Sequence, residues 1–323
     1  MAASTGQQKG AAADRRRVLS LEREAVSLVD RMPELLMEAD RISATVAHGI
    51  HGRRRAGPGE TFWQFRQYQQ GEGAQLIDWR RSASSHHVYV REREWEAAHT
   101  IYLWPDISSS MGFKSHLAPV SKRDRVLVLM LAAAELLVRG GERVALLGLT
   151  QPSASRRAAI RIAETIVASA ETPAVKKSRP PKIALNRFSG LLLFSDFLAP
   201  IDAIRERFEM LASNGADGHM IQVLDPAEET LPYTGRTEFL SSSGRERWVT
   251  DRVENIREEY RRRLHAHRAE VAELAHRYGW TFMVHHTDRP ASEPLLSLLM
   301  RLQGSPGGYR WNTKGSADVE GAL

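Results

Sequence analysis

Ile101-Tyr102-Leu103-Trp104-Pro105-Asp106-Ile107-Ser108-Ser109-Ser110-Met111 is the stretch on which the reading of this 323-residue chain turns. Four apolar residues run together, end at Pro105, and give way to a carboxylate and spaced hydroxyls. An apolar run without alternation is what a strand buried on both faces looks like. Asp106, Ser108 and Ser110 form a D-x-S-x-S pattern, whose oxygen atoms suit a hard cation such as Mg2+, with Mn2+ or Ca2+ as further oxygen-seeking ions. Taken alone, the pentapeptide reads equally well as a Ser-rich turn after a strand, because short motifs recur by chance.

Downstream, strand and helix patterns alternate. Ser121 with Asp124 is an N-cap pair that starts a helix running to about Arg139, apolar nearly all round and so expected to be buried. Val144–Leu149 reads as a strand, Arg157–Ala168 as a helix, Leu191–Phe194 as a strand ending at Ser195-Asp196, and Ile201–Ala212 as a helix. Met220–Leu224 is a further strand, ending at Asp225. Residues 228–250 read as an inserted turn and hairpin. Asp251 and Glu254 are expected to cap a long helix that stops at Gly279. Trp280–Val284 is the last strand, followed by His285, His286 and Asp288, and Pro294–Leu302 the last helix. Apolar strands separated by helices predict an α/β fold, a mostly parallel sheet covered by helices on both faces. Such sheets bind ligands at the carboxyl ends of their strands, where Asp106, Asp196, Asp225 and Asp288 all fall.

Upstream, residues 15–48 carry a helical apolar pattern, interrupted at Pro33, which is expected to open a second helix. A basic loop with Arg53, Arg54 and Arg55 follows. Residues 61–96 are dense in aromatics and charges, and Val88–Val90 with the alternating glutamates behind it reads as a strand. Asp78 is expected to cap a turn beside a buried Trp79. The resulting organisation is a disordered tail over 1–14, N-terminal helices and a signature region over 15–97, an α/β domain over 98–304, and a flexible tail over 305–323.

Composition narrows the function classes. Lys and Arg total 45 against 39 Asp and Glu, a formal charge of +6, and there is no cysteine. Thiolate zinc sites, disulfides and Cys nucleophiles are excluded. The N-terminus lacks the apolar core of a signal peptide, and the longest apolar run, Val126–Ala134, is too short to cross a bilayer. A cytoplasmic location is the expectation.

Two resemblances join these observations. D-x-S-x-S after the first strand, with an Asp closing a later one, resembles the von Willebrand factor A fold and its metal-ion-dependent adhesion site. The resemblance implies that Asp106, Ser108 and Ser110 are joined by a threonine from a second loop, for which Thr150 is the candidate, and by Asp196 from a third. The segment Gly57-x-Gly59-Glu60-x-Phe62, Arg66-x-Tyr68, Gly71-Glu72, Ile77-Asp78-Trp79, Ser82-Ala83 and Val90-x-Glu92 resembles the signature of the domain of unknown function 58 family. That family usually has Gly-Asp at Gly71-Glu72 and Arg at Ser84. It is associated with MoxR-type AAA+ ATPases, which implies an adaptor or chaperone-like partner and not an enzyme. The expectation is a Mg2+-dependent interaction module that accepts an acidic ligand over the metal, with Arg53, Arg54, Arg55 and Arg66 adding charge complementarity. Two other classes remain open: a metal-dependent phosphohydrolase or nuclease using strand-end carboxylates, and a basic-patch nucleic-acid binder. The first lacks a second carboxylate two residues after Asp106 and a P-loop, and the second lacks an accompanying fold motif.

Overall fold

A computed structural model describes residues 28, 30–47, 62–68, 77–83, 85, 87–93, 99–169, 178–187, 189–241 and 246–304. The expected tails and the Arg53-Arg54-Arg55 loop lie outside the described residues. The chain divides into two units, Met1–Gly52 with His99–Trp311, and Arg53–Ala98 with Asn312–Leu323.

The larger unit is built on a parallel five-stranded sheet. A helix over residues 30–47 (α1) precedes it. β3 (Thr100–Pro105), β4 (Arg143–Leu146), β5 (Gly190–Ser195), β6 (Asp217–Leu224) and β9 (Thr281–His286) lie in the order β4-β3-β5-β6-β9. Every pairing is parallel, as the apolar strand runs predicted. β5 is buried along its whole length. Side chains alternate between two apolar layers. Ile101, Leu103, Leu192 and Phe194 enter one layer with α1, α3 (Lys122–Arg139), α4 (Ala158–Ser169) and α8 (Ser292–Gly304). Trp104, Leu191, Leu193 and Met220 enter the other with α5 (Ile201–Ala212) and α7 (Glu254–Arg277). Helices therefore cover both faces.

α3 starts where the sequence placed it. Ser121 Oγ accepts from Asp124 N at 3.2 Å and Asp124 Oδ2 accepts from Ser121 N at 3.4 Å, a reciprocal capping box. α7 ends with Gly279 at φ +72°, a left-handed conformation that glycine adopts without a Cβ clash. Other expectations need correction. Residues 30–47 are helical straight through Pro33. Asp251 does not cap α7, whose N-cap residue is Val253 with no side-chain bond; the Glu254 carboxylate instead accepts from Gly235 N at 2.8 Å. The inserted hairpin, β7 (Thr237–Leu240) with β8 (Arg247–Thr250), is preceded by a short helix, α6 (Pro226–Thr230).

Trp280 locks β6 to the α5–α7 layer. Its indole N–H donates to Ala216 O at 2.8 Å and its ring lies 5.1 Å from that of Phe208. Gly218 leaves room for the ring: a Cβ there would stand 2.2 Å from the indole. Gly218→Ala is expected to cost about 1–3 kcal/mol by overpacking, read as a lower urea midpoint at unchanged slope. An unchanged midpoint would show that the ring moves aside freely.

The smaller unit contains β1 (Phe62–Gln67) paired antiparallel with β2 (Tyr89–Arg93) and a short helix, α2 (Trp79–Ser82). Asp78 caps α2 as expected, its Oδ1 accepting from Arg81 N at 3.0 Å. Trp79, expected to be buried, is 63% exposed. Its neighbour Asp78 joins the hairpin instead, donating its backbone N–H to Tyr89 O at 2.8 Å.

Candidate cation centre at the carboxyl edge of the sheet

In chain order the sheet strands read 2-1-3-4-5, the arrangement of a doubly wound sheet. The order reverses between β3 and β5, and their carboxyl ends diverge around a crevice because the connections leave on opposite faces. Asp106 follows β3 and Asp196 follows β5. Topology thus brings together two residues 90 positions apart, at the place where such sheets bind ligands.

Asp106 is fully buried and held by neutral donors. Its Oδ1 accepts from Ser108 N at 2.9 Å and its Oδ2 from Ser195 Oγ at 2.7 Å. Burial, with the charge of Asp196 nearby, pushes its carboxyl up to about 6, against the opposing hydrogen bonds. Ser108 Oγ and Ser110 Oγ lie 3.1 Å apart at the entry to a 3-10 turn over Ser109–Gly112. Two oxygens bound side by side to one magnesium at about 2.1 Å are themselves about 3 Å apart. The two hydroxyls share a hydrogen bond at this distance, and the same spacing also fits two oxygens on one hard cation.

Asp196 is differently engaged. Its Oδ2 pairs with Lys122 Nζ at 3.0 Å, and its Oδ1 accepts from Leu198 N at 3.2 Å. Lys122 Nζ also reaches Glu228 Oε1 at 2.6 Å. The ammonium is 1% exposed. Burial pulls its pKa down, but the charges of Asp196 and Glu228 outweigh it, so the net shift is upward and the lysine stays charged. Glu228 is raised by its own burial, with Lys122 opposing.

The remaining candidates are placed as follows. Thr150 Oγ1 accepts from Leu146 N at 2.7 Å, closing the turn after β4. Asp225 is fully buried but saturated locally: it takes Ser115 Oγ at 2.5 Å and Ser115 N at 2.8 Å, and caps α6 through Ala227 N at 2.9 Å. Asp288 is exposed in the turn after β9. His285 is buried and His286 half-exposed against Glu229, as expected for neighbours on opposite faces of a strand. Arg66 lies on β1 opposite Val90 in the smaller unit, with its side chain outside the described residues, as are Arg53, Arg54 and Arg55.

A polar chain runs on from Asp196. Gln222 Nε2 donates to Asp196 O at 2.8 Å, Arg268 Nε donates to Gln222 Oε1 at 3.1 Å, and Arg268 Nη1 reaches Glu229 Oε1 at 2.7 Å. Sequence reading missed Lys122, Ser195, Gln222 and Arg268. Ser195 was within reach, as the neighbour of a strand-end Asp. Lys122 left one faint signal, a cation at the first position of a helix, where the dipole disfavours it.

The donors fit a cation in the first loop and not in the other two. Asp106, Ser108 and Ser110 present one carboxylate and two hydroxyls, whereas Asp196 is committed to Lys122 and Thr150 to a backbone amide. Among the described residues, no three of His, Cys, Asp and Glu gather as a metal-binding group. Any ion here rests on hydroxyls beside a single carboxylate. Large apolar side chains also stand exposed on the loops around the crevice: Phe113 and Leu117 after β3, Leu149 after β4 and Leu198 after β5.

Comparison with known proteins gives a match to the family described as "Protein of unknown function DUF58" over residues 64–270, a span that includes the whole centre. An uncharacterized protein of Mycobacterium tuberculosis is 28% identical over 267 residues, covering 76% of this chain and 80% of that protein. An uncharacterized protein of Mycobacterium bovis matches to the same extent. Among solved structures, the conserved hypothetical protein BatB of Bacteroides thetaiotaomicron aligns at 14% identity and a TM-score of 0.36, over 64% of this chain and all of that one. An aerotolerance-related membrane protein of Bacteroides fragilis aligns at 16% and 0.35, over 63% of this chain and 98% of that one. No helix among the described residues is long and apolar enough to cross a membrane.

Proposed function

The chain belongs to the DUF58 family of proteins of unknown function, and from that premise we propose that it is a protein-interaction module working through the carboxyl edge of its parallel sheet. The observation that carries this reading is the company of a hydroxyl–carboxylate cradle at the strand-order reversal with four exposed apolar side chains on the loops around it. Polar groups at the centre of an apolar rim give a partner both orientation and buried area.

Asp106, Ser108 and Ser110 hold a divalent cation in this reading, in the manner of a von Willebrand A-type adhesion site with a reduced donor set. The ion supplies a positive centre for a carboxylate from an acidic partner, beside neutral hydroxyls that leave its charge uncancelled. An apolar cleft of about 110 Å3, with Trp104, Pro105 and Ile107 in its wall, flanks Asp106 and suits an adjoining hydrophobic side chain. The family resemblance points to a MoxR-type AAA+ ATPase as the partner.

The test is a Mg2+ titration of wild type and Asp106→Asn, with capture of the AAA+ ATPase from the same cell in Mg2+ or EDTA. Asp106→Asn is expected to weaken the ion at least about tenfold and to abolish Mg2+-dependent capture. Ion binding indifferent to Asp106 removes the proposed site, and Mg2+-dependent phosphate release from simple esters would replace the module by a hydrolase.

A further inference from the structure

Lys122 carries chemistry that the reading above leaves unused. A lysine is almost never buried this completely unless it is paired. Its two partners come from different strand ends, Asp196 after β5 and Glu228 in α6 after β6. The ammonium therefore joins two loops through their carboxylates at the edge of the sheet, which is the service a bound metal ion performs. It does so from the first position of α3, against the preference of the helix dipole, so the pairing and not the helix keeps it there.

We infer that the Lys122 ammonium is a tethered cation standing in for a metal ion at Asp196, confining divalent-ion binding to Asp106, Ser108 and Ser110. This rests on the assignment of a cation to that first loop. Two consequences follow from Coulomb's law in a buried setting. A divalent ion at Asp106 is repelled by the ammonium on the neighbouring Asp196, so the wild-type site is weak. Removal of the ammonium frees Asp196, and the centre then offers carboxylates from two loops together with the hydroxyls of Ser108 and Ser110.

The experiment is a calorimetric Mn2+ titration with thermal melts in Mn2+ and in EDTA. Lys122→Met alone leaves two buried carboxylates without a counter-charge, so the deciding protein is Lys122→Met/Glu228→Gln, which removes one charge of each sign. It is expected to bind Mn2+ at least about tenfold more tightly than wild type and to gain more in melting temperature from the ion. Adding Asp196→Asn should return both readings to the wild-type level. A charge-balanced variant that binds Mn2+ no more tightly than wild type overturns the inference. So does a wild-type affinity that falls with Asp196→Asn as steeply as with Asp106→Asn, since Asp196 would then already be a ligand. Wild type with no measurable Mn2+ binding removes the cation from the first loop, but a gain in the variant still upholds the role of Lys122.

Discussion

Lys122→Met is expected to lower the unfolding free energy by about 3–5 kcal/mol, the usual cost of removing one partner from a buried ion pair. The side chains of Lys122 and Asp196 are 1% and 4% exposed, so water cannot take over the solvation of the carboxylate that remains. Glu228, the second partner, is 17% exposed and would stand beside Asp196 as a like charge. Methionine keeps the length of the lysine and its apolar stem, so the loss reports the charge and not a cavity. The control is Arg139→Met. Arg139 and Asp40 are 45% and 66% exposed, and Glu135, its second and longer contact at 3.7 Å, is 19% exposed; a pair on an exposed arginine of this kind contributes roughly 0–1 kcal/mol. Urea unfolding in EDTA separates the two substitutions. Equal effects would show that Lys122 is solvated in solution and that the centre is more open than the structure has it.

Acidification is expected to destabilise the protein through two buried histidines. Burial pushes His285 down to about 3, with Arg125 and His286 adding repulsion, and His219 down to about 4, with Arg301 adding. His219 Nδ1 lies 2.8 Å from Thr281 Oγ1, while among the described residues the Nε2 atoms of both rings are buried without a hydrogen-bond partner. Folded-state values below the ordinary 6.5 mean that the unfolded chain takes up protons first as the pH falls. Stability is therefore lost from about pH 6.5 downward, at about 1.4 kcal/mol per pH unit for each ring, or about 5 kcal/mol for the two by about pH 4.5. Asp106 works in the opposite sense: raised to about 6, it is protonated in the folded state first and returns about 2 kcal/mol over that interval. These three groups together are expected to cost about 3 kcal/mol in metal-free buffer, measured by urea unfolding at the two pH values against His219→Leu/His285→Leu, which removes the histidine part. His285→Leu should remove about half of the histidine share. A stability that does not change across the interval would mean that these rings are hydrated in solution.

Local pattern carried most of the fold. The apolar runs at Ile101–Trp104 and Leu191–Phe194 announced strands buried on both faces, and the pair Ser121 and Asp124 announced the start of α3; the structure has all three. Such signals are legible because they depend on neighbours in the chain: burial of successive side chains, or a side-chain oxygen reaching an amide three residues on. The failures share the opposite property. Asp251 has the spacing of a cap, but the N-cap residue of the helix is Val253, and the Glu254 carboxylate is drawn to Gly235. Trp79 is an aromatic of the kind that fills cores, but at the first position of a one-turn helix it is left 63% exposed.

The candidate centre divides along the same line. Sequence alone determined that Asp106, Ser108, Ser110 and Asp196 lie at the ends of buried strands, because strand length and the break in apolar character are local. Only the tertiary structure decided which partners the strand-end groups take. It pairs Asp225 with Ser115, 110 residues earlier, ties Thr150 to the backbone of its own turn, and sets Lys122 against Asp196 across 74 residues. Such pairings depend on strand order and on which helix start faces which loop. No spacing along the chain encodes them, since a buried charge finds its partner through the packing of the sheet and not through its neighbours in sequence.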